Sequence, residues 1–120
     1  EDFLREVGLM SEDYFLYFEE LDWAMRGKRL NYTLGYCNLS HVYHKDGAST
    51  KKDIKKLASS PFSDFHFTQS KIIFTKKFFK KRLLLIYFSF LLVIINRIRK
   101  NQFKNISAIF RALMGLKYVK

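Results

Sequence analysis

Hydrophobic and polar positions along this chain fall into runs that predict a succession of short elements. In "EDFLREVGLM", Phe3, Leu4 and Val7 recur at helical spacing and Gly8 stands where such a helix stops, with Ser11, Glu12 and Asp13 as a polar turn behind it. An aromatic stretch, "YFLYF", leads into a second helix expected from Glu19 to about Leu30. Its acids gather in the first turn and Arg26, Lys28 and Arg29 in the last, as the helix dipole favours. Asp22 and Arg26 are placed to pair one turn apart. The pattern then changes. "YTLGYCNLSHVYHK" is rich in Tyr, Thr and Val, is punctuated by Asn31, Gly35 and Asn38-Leu39-Ser40, and predicts two short strands near 32–36 and 41–44. "KDGASTKKD" follows as a loop.

Ser60-Pro61 is a helix start, with Ser60 as cap and Pro61 in the first helical position, for a helix reaching about Phe79. "LLLIYFSFLLVII", residues 83–95, is almost continuously apolar and is bracketed by Lys76, Lys77, Lys80, Lys81 and Arg82 before it and Arg97, Arg99 and Lys100 after it. As a helix it covers roughly 20 Å, short of the ~30 Å hydrocarbon core of a bilayer, so it is not expected to span one. Beyond it, Phe103, Ile106, Phe110 and Leu113 recur at helical spacing opposite Lys104, Asn105, Ser107 and Arg111, predicting a further amphipathic helix. No internal repeat or low-complexity segment occurs.

Composition sharpens this outline. A chain of 120 residues that is 48% hydrophobic and 18% aromatic has enough apolar surface for one modest folded domain. The single cysteine, Cys37, excludes an internal disulfide framework and a thiolate-cluster metal site, fits a reducing compartment, and is expected to be inert packing. The net charge of +11 is unevenly placed. Residues 1–70 carry nine cations and all eleven acids, a balance of −2, whereas residues 71–120 carry thirteen cations and no acid, a balance of +13. No signal peptide opens the chain, and its start at Glu1-Asp2 without a methionine is expected of a fragment of something longer.

Two places carry candidate chemistry. Glu19, Glu20 and Asp22 crowd one helix start; at ~100° per residue, Glu19 and Glu20 cannot point the same way, and only one of them can face a cleft. Taken alone, such acids stabilise a helix N-terminus and pair with nearby arginines. About two dozen positions later, "HVYHKDGAST" places His44 at an expected strand end before a small-residue loop. The pair of motifs, within "REVGLMSEDYFLYFEELDWAMRGKR" and "VYHKDGAST", resembles the C-terminal half of the catalytic domain of inverting GT-A glycosyltransferases of family two, in particular the rhamnosyltransferase-like bacterial members that build surface polysaccharide. The likeness weakens in "SPFSDFHFTQSKIIFTKKFF", where relatives tend to show an Arg-Asn pair and this chain has Gln69-Ser70.

The resemblance implies an α/β fold: residues 1–58 as the acceptor side of a GT-A catalytic domain with short strands, and residues 59–120 as a basic, apolar helical extension. It implies transfer of a sugar from a nucleotide-sugar donor to a glycan or lipid-linked acceptor. Glu20 matches the general base that takes the acceptor hydroxyl's proton, a form of assistance that supplies typically ~10²–10⁴ in rate. Glu19 and Asp22 match supporting acids, orienting the helix start or an acceptor hydroxyl. His44 matches a ligand to Mn²⁺ or Mg²⁺; His41, three residues earlier, would lie on the opposite face of a strand. No D-x-D and no glycine turn for a nucleotide occurs, so the donor side and the rest of a metal site are not expected in these residues.

Bland alternatives stand beside these readings. Trp23 could stack on an acceptor sugar, but a tryptophan at helical spacing is more often core. Ser49 and Thr50 lie in a loop that is usually just a turn. His66 has no partner pattern. The basic, apolar tail suits a monotopic anchor on an anionic membrane, on the inner face of the cell membrane with the protein in the cytoplasm. Alternatively the apolar run is core of a larger protein, or the whole chain is a non-enzymatic basic module on membrane or nucleic acid. No recognised nucleic-acid motif occurs, and a nucleic-acid partner is not expected.

Overall fold

A computed structural model describes residues 2–43 and 59–119. Among the described residues five helices form: α1 (Asp2–Val7), α2 (Glu19–Arg29), α3 (Pro61–Phe78), α4 (Leu83–Arg99), which a single 3₁₀ turn at Lys80–Arg82 joins to α3, and α5 (Phe103–Leu113). Each lies where spacing, a cap signal or an apolar run led a helix to be expected, and the starts and stops follow from local chemistry. The Ser60 hydroxyl accepts the Ser63 amide at 3.1 Å, with Pro61 in the first helical position. Three helices end in the same device, a left-handed residue one past the cap that lets the next two amides fold back on the last turn. Asn31 does this for α2, Asn101 for α4 and Gly115 for α5.

The expected α/β class is overturned, because the described residues contain helices and no strand. Residues 33–43, where the strands were expected, are exposed and irregular, with Leu34 at 81%, Tyr36 at 93% and Val42 at 83% exposure. Strand propensity reflects how well a side chain fits a half-buried pleated surface, and here no sheet edge or apolar face is present to receive it. Cys37, expected to pack, is likewise exposed. His44, the last residue of the expected 41–44 strand, lies outside the described residues.

Helix α3 is the axis of the molecule. Its apolar residues are spread around the helix rather than gathered on one face, so other elements pack on more than one side of it. The aromatic loop 14–18 meets one side of it, through Tyr17 and Phe18 on Phe67 and Phe18 on Phe74. Another side receives α5, whose Ala108 and Ala112 let the backbones approach and pack against Phe65 and Tyr118. The apolar face expected on α5 is therefore rotated: Asn105, Ala108, Ile109 and Ala112 are buried, while Phe103 and Phe110 are exposed. Small side chains win the inner positions because a phenylalanine there would hold the two helices apart.

A buried polar knot at the start of α3 ties three helices together. The Asp64 carboxylate accepts from Ser59 Oγ at 2.6 Å, from Arg97 of α4 at 2.9 Å and from Asn105 of α5 at 2.8 Å. Arg97 also holds Gln102 in the α4–α5 turn at 2.7 Å. Removing one partner of a buried ion pair leaves the other uncompensated, so Asp64→Ala is expected to cost about 3–5 kcal/mol, measured as a lower urea midpoint at unchanged slope.

Candidate functional site

The three acids of the α2 start are sorted into three environments. Asp22 is completely buried, Glu19 is half-buried, and Glu20 is exposed. Successive residues on a helix point about 100° apart, so neighbours at this start cannot share a destination.

What fixes the start of α2 is an unusual backbone. Tyr17 and Phe18 both adopt left-handed conformations, at φ 70° and 72°, which cost bulky L-residues roughly 1–2 kcal/mol each. Helix α3 holds them there. Tyr17 Oη and Ser63 Oγ share a hydrogen bond of 2.6 Å, the Leu16 carbonyl accepts Ser70 Oγ at 2.8 Å, and the two rings lie on Phe67 and Phe74. Phe18 offers no side-chain cap, and the acids of the first turn answer the free amides electrostatically.

Asp22 gathers three groups. Tyr14 donates its phenol at 2.9 Å, Arg26 its Nε at 2.8 Å, and the Lys77 ammonium of α3 lies at 2.7 Å, also reaching Asp13 at 3.4 Å. Arg26 continues outward to the carbonyls of Val7 and of Leu9, the latter at 2.6 Å, so that the segment after α1 is tied to α2. Burial alone pushes the Asp22 carboxyl up, but Lys77, Tyr14 and Arg26 outweigh it and hold the group below the usual carboxylate range. Tyr14 is driven the other way, above the usual phenol range, by its burial and by the Asp22 carboxylate it touches.

Glu19 has one carboxylate oxygen, Oε2, buried with no hydrogen-bond partner among the described residues. The residue lines an open concavity of about 660 Å³ with Ser11, Glu12, Asp13, Tyr14 and Gln69 among its walls. A buried acceptor without a donor carries a desolvation cost. Glu20 is not part of that lining; it projects to solvent from the adjacent position.

The other candidate residues are placed as follows. Trp23 is half-buried, its ring edge-on to Phe3 at 5.0 Å and its indole N–H donated to the Gly8 carbonyl at 2.8 Å. Phe3 in turn sits on Gly27, where a Cβ would approach its ring to 2.6 Å, so α1 and α2 meet across a glycine. His41 is exposed, and His44, Ser49 and Thr50 fall outside the described residues. Among the described residues no group of three or more His, Cys, Asp or Glu side chains could hold a metal ion, so these residues do not by themselves fit the divalent cation that the resemblance implies. His66 is buried among Phe15, Phe62 and Phe65, and burial holds its imidazole below the ordinary histidine range.

Sequence reasoning missed Tyr14 and Lys77. Asp22 was already matched with Arg26 at one-turn spacing, and Lys77 was counted among the cations flanking an apolar run. Gln69, noted as a departure from a motif, lines the same concavity as Glu19.

No family model matches the sequence, and no solved structure matches it. Over 44 residues the chain is 30% identical to the low-salt glycan biosynthesis hexosyltransferase Agl10 of Haloferax volcanii, a stretch that is 37% of this chain and 14% of that protein. Part of the chain is thus similar to a glycosyltransferase, of whose length it spans a small fraction.

The Tyr14–Asp22 pair has a pH signature. The Asp22 contribution is complete above the unfolded carboxylate pKa of about 4 and is lost as pH falls below it, while the Tyr14 contribution is complete below the unfolded phenol pKa of about 10 and is lost as pH rises above it. Tyr14→Phe is expected to lower stability by about 1 kcal/mol at neutral pH and to flatten the alkaline decline, as read from urea midpoints on either side of about pH 10.

Proposed function

We propose that this chain is the acceptor-side part of an inverting, family-two glycosyltransferase of the rhamnosyltransferase-like kind, which moves a sugar from a nucleotide-sugar donor to a glycan or lipid-linked acceptor in surface polysaccharide synthesis. The observation that carries the reading is the sorting of carboxylates at the start of α2. One acid is committed to structure, one borders a concavity with an unanswered acceptor atom, and one is presented to solvent beside it. The 44-residue likeness to a hexosyltransferase supports the same class of chemistry.

In this reading Glu20 is the general base. It makes no hydrogen bond or ion pair among the described residues and is free to meet a hydroxyl. As the acceptor oxygen bonds to the anomeric carbon, the bond from that carbon to the donor phosphate breaks, the acceptor proton passes to Glu20, and the nucleotide leaves with the electron pair. A single displacement of this kind inverts the anomeric centre. Glu19 is a supporting acid that orients the helix start, and Asp22, through Lys77 and Arg26, keeps both neighbours in place. His44 would supply one ligand to a divalent cation, Mn²⁺ or Mg²⁺.

The test uses the protein that contains this chain together with its nucleotide-binding portion. Glu20→Gln is expected to lower kcat by ~10²–10⁴ with acceptor affinity kept. Transfer at the wild-type rate by Glu20→Gln would remove the base assignment.

A further inference from the structure

We propose that the outer face of α4 is a seat for an anionic phospholipid surface, on which the helix lies along the interface rather than across it. The face is defined by Leu84, Phe88, Leu91, Leu92, Ile95 and Ile98, whose exposures run from 46% to 84%. They recur every three or four residues and form one stripe along the helix. The opposite side, with Phe90 at 2% and Ile94 at 9%, is spent on the interior. Helix α4 is thus apolar all round, yet only half of it is covered.

Charge identifies what covers the rest. Lys80, Lys81 and Arg82 lie exposed at one end and Arg99 and Lys100 at the other, about 25 Å away along the helix. None of the five pairs with a carboxylate among the described residues, and residues 71–120 contain no acid to offer one. An apolar stripe with cations at both ends matches a surface that is apolar below and anionic above, which is the headgroup boundary of an anionic bilayer. A second copy of this chain does not match it, because pairing two such faces would bring like charges together with no acid between them. Nucleic acid does not match either, since the stripe would press against phosphates. Crossing the bilayer is excluded by length: no described helix is long and apolar enough to span a membrane.

The structure also narrows which residues take part. Helix α5 spends its inner face on α3, and Lys77 and Arg97 of the flanking cations are turned inward to Asp22 and Asp64. The seat therefore belongs to α4 and its two exposed cation clusters, and it needs no donor, acceptor or transfer activity.

The test is co-sedimentation of the full chain with vesicles of phosphatidylglycerol and phosphatidylcholine, and with vesicles of phosphatidylcholine alone. Binding is expected to the anionic vesicles, to weaken with salt, and to be at least ~10-fold weaker for Phe88→Glu/Leu92→Glu and for Lys80→Glu/Lys81→Glu. All four positions are exposed, so unchanged circular dichroism and thermal unfolding are expected of both variants. Absence of binding to anionic vesicles would overturn the proposal, as would equal binding to neutral ones. Full binding by Phe88→Glu/Leu92→Glu would overturn it too, showing charge alone at work, as would a shift of the wild type to dimer that the same variant abolishes.

Discussion

The buried carboxylate of Asp22 is the interaction on which the arrangement of the first half depends. An ion taken wholly out of water carries a desolvation cost of several kcal/mol, and a single surface-type pair, worth about 0–1 kcal/mol, would not offset it. Two cations and a phenol converge on it instead. Because Lys77 comes from α3, Tyr14 from the aromatic loop and Arg26 from α2 itself, satisfying one group fixes three segments. Arg26 then extends the tie to the carbonyls that follow α1. Asp64 does for α3, α4 and α5 what Asp22 does for α1, α2 and α3, and between them the two knots orient every helix.

This division of labour explains how a surface site coexists with a small interior. Phenylalanine and tyrosine rings crowd around α3, whereas α5 uses alanines to come close and leaves its phenylalanines outside. The loop that presents Glu19 and Glu20 is shaped by α3 through Ser63, Ser70, Phe67 and Phe74 rather than by its own preferences. The positions of the two exposed or half-exposed acids are consequently properties of the tertiary fold. The similarity to a hexosyltransferase over 44 residues gives that placement a chemical context.

Much of the secondary structure could be read from local signals. Gly8 closed the first helix, Ser60-Pro61 opened the third, and the 83–95 run became the body of α4, because caps and periodicity act within a few residues. The irregular course of residues 33–43 could not be read, since "YTLGYC" and "SHVY" carry strand-forming residues whose preference is realised only against a partner. The rotation of α5 was hidden for a related reason. Hydrophobic spacing finds a stripe but not whether close approach favours alanine over phenylalanine. At the site, the Asp22–Arg26 pair was legible at one-turn spacing, whereas Lys77, 55 positions beyond Asp22, was visible only once the chain had folded.

The consecutive left-handed residues Tyr17 and Phe18 have a consequence for how the molecule comes into being. Their shape is stabilised by Ser63, Ser70, Phe67 and Phe74, all of which leave the ribosome more than forty residues later. A nascent chain that has emerged only as far as α2 lacks the template for that turn, and relaxes to the ordinary right-handed or extended backbone. The acidic helix start therefore acquires its final geometry late in synthesis, when α3 arrives and closes the long loop.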